Sequence, residues 1–150
     1  MIGPLALACL WELAWWKRRW IARRDIYAQA RAHARRVGKP LMVVGAPDGG
    51  PTDSPGSDAD LIVDINPSRF PQAIRCDITK GIPIPDDSVV VYVSCVLEYV
   101  DDLERAIREL KRVGGDRVYV VRVEPWSLVA YLYPNAQHVL DMRQFANGKG

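Results

Sequence analysis

The chain has little of what metal centres, disulfide frameworks and histidine-dependent catalysis require. Its 150 residues include only three cysteines and two histidines. Cys9, Cys76 and Cys95 are odd in number, widely spaced and set in apolar sequence, which is neither a zinc-ligand pattern nor a disulfide framework. His33 and His138 are too few for a histidine-based metal site or a Ser-His-Asp triad. We therefore set these site types aside and expect a reducing compartment.

Charge is distributed unevenly along a chain of otherwise ordinary globular composition. Residues 1–40 contain nine Lys and Arg but only two acidic residues, whereas residues 41–150 contain eleven basic and sixteen acidic residues. A basic arm thus precedes an acidic domain. The arm is expected to meet an anionic surface, and the domain is not.

The N-terminal segment predicts one long helix. Residues 1–16 are apolar apart from Glu12, and the basic run 17–19 follows directly. Sixteen helical residues reach about 24 Å, short of the roughly 30 Å hydrocarbon core, so the segment is a marginal span. A cleaved signal peptide fits worse, because the positive charge follows the apolar run. Gly38 and Pro40 are expected to end the helix, which makes residues 1–39 a separate N-terminal unit.

Four tryptophans, at positions 11, 15, 16 and 20, lie beside the Lys and Arg residues of this helix. Tryptophan and basic residues together are typical of a membrane interface. Residues 1–39 could therefore seat the protein on a membrane surface, pack on a protein partner or simply cover the domain's own sheet. A nucleic-acid-binding arm is less well supported, because the apolar half would have no role against phosphates. The domain is expected in the cytoplasm, associated with a membrane through this helix.

The remainder predicts an α/β domain over residues 40–150. Apolar runs predict strands at residues 41–44, 61–64, 73–76, 89–93 and 117–123. Asp101 or Asp102 can cap a helix over residues 103–113, which Gly114 and Gly115 end. Strand, helix and strand with such short connections form a parallel crossover. A short helix over residues 127–133 and an edge strand over residues 137–142 complete the prediction.

Residues 76–115, CDITKGIPIPDDSVVVYVSCVLEYVDDLERAIRELKRVGG, and the upstream LIVDINP resemble the class I S-adenosylmethionine-dependent methyltransferases. In that family a strand ending in aspartate leads to "lPf.d.sfD.v", a strand, an "hvLEHv" segment, a helix and a glycine-rich turn. The resemblance covers about residues 41–123 and is closest to compact members. It implies a shortened, Rossmann-like, mostly parallel sheet behind the long N-terminal helix, with S-adenosylmethionine as cofactor.

The resemblance also implies which residues hold the cofactor. The family's G-x-G-x-G turn corresponds to Gly45, Ala46 and Gly49, although Pro47 replaces the middle glycine and Val43 the usual preceding acid. Proline donates no N–H and restricts the backbone path.

Two strand-end aspartates complete the implied site. Asp64, with Ile65 beside it, matches the acid that accepts from the ribose hydroxyls; Asp64 also suits a turn. Asp77 and Ile78 match the adenine contact, and a capping aspartate is an equal alternative for Asp77. Ser94 and Cys95, at the end of the fourth strand, are expected to face the same crevice.

The family's L-E-H segment corresponds to Leu97, Glu98 and Tyr99, so a tyrosine replaces the histidine. Glu98 is expected to be solvated or to bond a turn, because no partner that would shift its pKa is identifiable. No catalytic side chain is assigned.

Two functions remain open. The first is a membrane- or complex-associated methyltransferase with an unknown methyl acceptor; such a reaction needs little covalent chemistry from the protein. The second is a catalytically inactive subunit that uses the same fold for assembly, which Pro47, Val43 and the shortened sheet favour.

Overall fold

The computed structural model describes residues 3–45, 56–66, 73–122 and 137–148. These residues form an α/β fold, as the sequence predicts. The helices are α1 (Pro4–Val37) and α2 (Leu103–Gly114); the strands are β1 (Leu41–Val44), β2 (Leu61–Asp64), β3 (Ile74–Arg75), β4 (Val90–Ser94) and β5 (Val118–Val121); short 3-10 turns occupy Leu97–Tyr99 and Met142–Gln144.

The five strands form one sheet in the order β3-β2-β1-β4-β5, and every described pair is parallel. From β1 the chain adds β2 and then β3 on one side. It then returns to the other side of β1, where it adds β4 and then β5. The strand order therefore reverses between β1 and β4, and open α/β sheets bind ligands at the carboxyl ends of the strands beside such a switch point. We call this side of the sheet the carboxyl edge and the opposite side the amino edge. The shortened Rossmann-like sheet predicted from the sequence is confirmed.

Helix α2 covers one face of the sheet. The Asp102 side chain accepts a hydrogen bond from the Arg105 amide at 3.0 Å and so caps the first turn. On the covered face, Leu110 and Val113 are completely buried. Each contributes on the order of 2 kcal/mol through burial, which fixes the helix on the sheet.

Helix α1 covers the other face with its second half only. Its buried residues are Ala30 and Ala34, and the His33 ring packs edge-on against Tyr119. Closer to the carboxyl edge, the Tyr92 hydroxyl donates a hydrogen bond to the Arg23 carbonyl at 3.1 Å. The helix therefore runs antiparallel to the strands, and its packing on the sheet starts well before the boundary predicted at residue 39.

Thirty-four helical residues are about 51 Å long, whereas a five-residue strand is about 17 Å long. The first half of α1 consequently extends past the carboxyl edge. Within the described residues, no helix has the length and apolarity needed to cross a membrane.

The prediction of a strand at residues 137–142 is wrong. Val139 is 81% exposed, and the Asp141 carboxylate accepts from the Arg143 amide at 3.0 Å, which begins a 3-10 turn instead. The next residues still cover the edge of the sheet. Asn147 donates to the Val120 carbonyl at 2.8 Å and accepts from the Val120 amide at 3.1 Å, so a side-chain amide takes the place of a neighbouring strand. The helix predicted at residues 127–133 lies outside the described residues.

Candidate functional site

A cavity of about 290 Å³ opens at the carboxyl edge, beside the point where the strand order reverses. Five of the residues predicted from the sequence line it together: Gly45, Asp64, Ile65, Asp77 and Ile78. They come from the ends of β1, β2 and β3. Parallel strands end at a common edge, so segments far apart in sequence converge there.

Gly45 ends β1 in a conformation that favours glycine. Its φ is 86°, and its amide donates to the Val63 carbonyl at 2.9 Å. A Cβ at this position would lie 2.6 Å from Val96 Cγ2, closer than carbon atoms can pack. Gly45 therefore permits both the left-handed turn and the close approach of Val96. The predicted Ala46 and Gly49, and the intervening Pro47, lie outside the described residues.

Asp64 serves the turn that follows β2. Its Oδ1 accepts a hydrogen bond from the Asn66 amide at 2.6 Å, as expected if this is a turn sequence. Turn formation and ligand binding are compatible, because an ionised carboxylate has two oxygens and about four acceptor sites. Ile65 is 65% exposed and forms part of the cavity rim.

Asp77 organises the turn after β3. Its Oδ1 accepts from the Thr79 amide at 3.0 Å and from the Thr79 hydroxyl at 2.6 Å, while Lys80 Nζ lies 3.3 Å from Oδ2. The hydrogen bonds from Thr79, aided by Lys80, lower the pKa of Asp77, so the carboxylate is ionised at neutral pH. The neighbouring Ile78 is 5% exposed and joins the core beneath the cavity. The capping function considered for Asp77 is thus present.

The structure places Ser94 differently from the sequence-based expectation. Ser94 follows Tyr92 by two residues, so both side chains point to the α1 face of the sheet, and Ser94 is not among the described lining residues. The next residue, Cys95, lines the cavity with φ of 53° and its amide bonded to the Val121 carbonyl at 2.8 Å. The prediction for Ser94 failed because alternation along β4 turns that residue away from the crevice.

Of the two alternatives for Glu98, the solvated one is wrong, because the residue is 3% exposed. Its backbone carbonyl accepts from the Gln137 amide at 2.6 Å, which ties the C-terminal segment to the loop after β4. Burial, together with the negative charge of Glu98, raises the pKa of the Cys95 thiol. Cys95 is therefore a neutral thiol at physiological pH.

Sequence reasoning missed several other lining residues. Cys76 and Thr79 flank the Asp77 site, and Tyr99 and Asp101 follow β4 in the segment between that strand and α2. Position after a strand was the available signal, since Asp101 lies in the segment that connects β4 to α2. Tyr99, which replaces the family's histidine, lies in the cavity wall.

The cavity carries negative charge. Its carboxylates are Asp64, Asp77 and Asp101, and no Lys, Arg or His occurs among the lining residues that the structure describes. Three carboxylates disfavour phosphate-bearing ligands such as dinucleotides and favour a ligand with hydroxyl donors and positive charge. S-adenosylmethionine has ribose hydroxyls, an amino group and a sulfonium, so these residues fit that cofactor.

Comparison with known families agrees with this chemistry. Residues 57–120, which include β2 to β4, α2 and most of β5, match the family model described as a methyltransferase domain. No curated protein and no solved structure shows significant similarity to the chain. Residues 57–120 are thus similar to a methyltransferase domain, and the strand order and the position of the cavity support a methyltransferase-like fold.

Proposed function

We propose that the protein binds S-adenosylmethionine in the carboxyl-edge cavity and transfers its methyl group to an acceptor. One observation carries the proposal: Gly45, Asp64 and Asp77, from three different strand ends, line a single acidic cavity. The charge of that cavity separates this function from dinucleotide binding, which the same fold class also supports.

Each lining group has a definite task. The Asp64 carboxylate would accept from ribose hydroxyls, and the Gly45 backbone would border the aminoacyl part. Asp77 accepts from the exocyclic amine of adenine, while Ile78 packs beside the ring. The three carboxylates also offset the positive charge of the bound cofactor.

The cofactor supplies a methyl group already activated by its sulfonium. The chain's own contribution is to hold the acceptor in line and to exclude water. Cys76 and Cys95 are not assigned as nucleophiles, because burial raises the pKa of both thiols and so leaves little thiolate. Catalysis is accordingly assigned to positioning and electrostatics, with no covalent intermediate on the protein.

Isothermal titration of the full chain with S-adenosylhomocysteine tests the proposal. The expected result is saturable binding that Asp64→Asn weakens about tenfold, since a charge-assisted hydrogen bond is worth roughly 1.5 to 3 kcal/mol. The asparagine keeps a side-chain oxygen for the Asn66 amide, so the turn and the unfolding midpoint should be retained. Asp116→Asn, at an exposed position after α2, is the control that should leave affinity unchanged. Equal loss in both variants would reject the role of Asp64.

A catalytically inactive assembly subunit is the second candidate, and the cavity itself favours it. About 290 Å³ is at the lower limit of ligand pockets, which typically enclose about 300 to 1,000 Å³. Asp64 and Asp77 also both bond their own turns. Pro47→Gly discriminates between the candidates, because it restores the family's glycine and should tighten binding if a cofactor site has decayed. Absence of binding at millimolar ligand in both parent and Pro47→Gly would leave the assembly function.

A further inference from the structure

The two halves of α1 have opposite relations to the domain. Residues 26–37 contain the buried positions, whereas the apolar side chains of residues 4–16 face solvent. The most exposed are Leu5 at 80%, Leu13 at 60%, Leu7 at 57% and Trp16 at 56%. Apolar residues occur around the whole circumference of this half, so it differs from an amphipathic helix covering its own sheet. A contiguous exposed apolar surface of this kind marks an interaction site.

Positive charge follows directly on the apolar half. Residues 17–24 contain Lys17 and four arginines, with no acidic residue. The Arg18 guanidinium lies 5.3 Å from the centre of the Trp15 ring, and Trp16 stacks on Trp20 at 6.3 Å. Polarity is thus divided along the helix axis, with an apolar end, a tryptophan layer and a basic layer in succession.

The basic layer borders a second cavity, of about 250 Å³, between α1 and the end of β5. Arg18 and Arg19 from the helix and Arg122 from the sheet line it, and no acidic residue is among its described lining. Three guanidinium groups around one cavity favour an anion that accepts several hydrogen bonds, such as a phosphate.

We propose that residues 4–24 of α1 dock on an anionic membrane surface, with the apolar end among the lipid chains and the arginines on lipid phosphates. Tryptophan and arginine prefer the level of the headgroups. The apolar end, residues 4–16, is about 20 Å long, enough to enter one leaflet of a roughly 30 Å hydrocarbon core without crossing it. A nucleic acid would neutralise the arginines of residues 17–24 but would leave the leucines of residues 4–16 in water. Nucleic-acid binding therefore explains the basic layer and not the apolar end.

Because of the direction of α1, docking of its first half would also place the carboxyl-edge cavity close to the membrane. The helix leaves the sheet at the carboxyl edge, where that cavity opens, so docking brings the cavity to the membrane. The acceptor class that follows, which rests on the proposed function, is a molecule held in or on the membrane. Membrane binding itself requires neither cofactor nor acceptor, so it can succeed or fail independently of the titration above.

Sedimentation of the full chain with phosphatidylcholine vesicles, with and without phosphatidylserine, tests the docking. We expect the parent chain to bind the anionic vesicles. Its affinity for them should decrease at least tenfold in Leu5→Asp and about fivefold in Arg18→Gln. Four of the five tryptophans lie on α1, so their fluorescence should shift to the blue on binding.

Matched variants exclude general effects of charge. Val139→Asp places the same side chain at an equally exposed apolar position, 81% against 80% for Leu5, and Arg108→Gln removes an exposed arginine from α2. Both should bind vesicles like the parent. Equal losses in these controls, or no binding to anionic vesicles, would overturn the proposal. It would also be overturned by a vesicle-independent dimer that Leu5→Asp dissociates, because a second copy would then cover the surface.

Discussion

The amino edge and the carboxyl edge of the sheet are built in different ways. At the amino edge, Lys39 and Arg117 both bond the Asp87 carboxylate, with Lys39 Nζ 2.9 Å from Oδ2. These hydrogen bonds lower the pKa of Asp87. At the carboxyl edge, Asp64, Asp77 and Asp101 surround a cavity that no described Lys, Arg or His lines. Opposite charges are paired at the amino edge, whereas three carboxylates line one cavity at the carboxyl edge, with Lys80 beside Asp77.

Arg112 makes several hydrogen bonds and ion pairs at the amino edge. Its guanidinium donates to the Ile82 carbonyl at 2.8 Å and the Ile84 carbonyl at 2.9 Å. It also pairs with Glu109 at 2.8 Å and Asp86 at 2.6 Å. One side chain thus joins α2 to the loop before β4.

The two edges therefore serve different purposes: the charged groups of the amino edge stabilise the fold, and those of the carboxyl edge are available to a ligand. Groups that satisfy one another add to stability but have little capacity left for a ligand, whereas carboxylates that line a cavity keep acceptor sites for one. Substitutions of charged side chains at the two edges should therefore affect different measurements.

The largest effect is expected for Gly45→Ala at the carboxyl edge. The added Cβ meets both a positive φ and Val96 Cγ2 at 2.6 Å, so we expect a loss of about 3 kcal/mol in unfolding free energy and loss of S-adenosylhomocysteine binding. Gly38→Ala is the matched control, because Gly38 has φ of 66° with nothing within 4 Å of the added carbon. It should cost about 1 kcal/mol, from backbone strain alone, and leave binding unchanged. Chemical denaturation and titration measure the two quantities; equal costs would show that the Val96 contact is unimportant.

Arg112→Ala should have the next largest effect, and on stability alone. Loss of two hydrogen bonds to backbone carbonyls and of the Glu109 pair should lower the unfolding free energy by about 2 kcal/mol. Arg108→Ala, on the same helix, removes an exposed ion pair in which the Arg108 guanidinium lies 3.8 Å from the Glu104 carboxylate. It should lower the unfolding free energy by less than about 0.5 kcal/mol. Reduced ligand affinity in folded Arg112→Ala would contradict the separation of the two edges.

The smallest effect concerns His33, whose Nδ1 lies 2.8 Å from the Tyr119 hydroxyl beneath α1. Burial, with repulsion from Arg36 and Arg117, lowers the pKa of His33 below its ordinary 6.5. Below pH 6.5 the unfolded chain binds this proton before the folded protein does, so stability should fall as pH decreases through that range. His33→Gln should flatten the dependence of the urea midpoint between pH 7 and pH 5.5. An unchanged slope would mean that His33 titrates equally in both states.

Local patterns of the sequence were sufficient for most elements of the fold. The bounds of β1 and β2 agree with the prediction at every residue, because continuous apolar runs between turn sequences suit buried strands. Asp102 caps α2, and Gly38, in the left-handed region, ends α1, as their residue types indicate. Capping and apolar periodicity act over a few residues, so a single sequence contains them.

Contacts between distant segments decided the remainder. The predicted strand near Val139 does not form, because Asn147 bonds the Val120 backbone and covers the sheet edge instead. Of the two residues expected in the crevice after β4, Cys95 lines the cavity and Ser94 does not, because successive side chains of a strand point to opposite faces of the sheet.

The sequence by itself determined that this is an α/β chain with a long basic helix and aspartates after its strands. Only the tertiary structure decided that three of those aspartates share one cavity and that α1 packs on the sheet with its second half alone. The physical reason is range. Propensity, capping and apolar runs depend on neighbours in sequence, whereas the acidic cavity and the exposed half of α1 follow from strand order and helix direction, which are properties of the whole packed sheet.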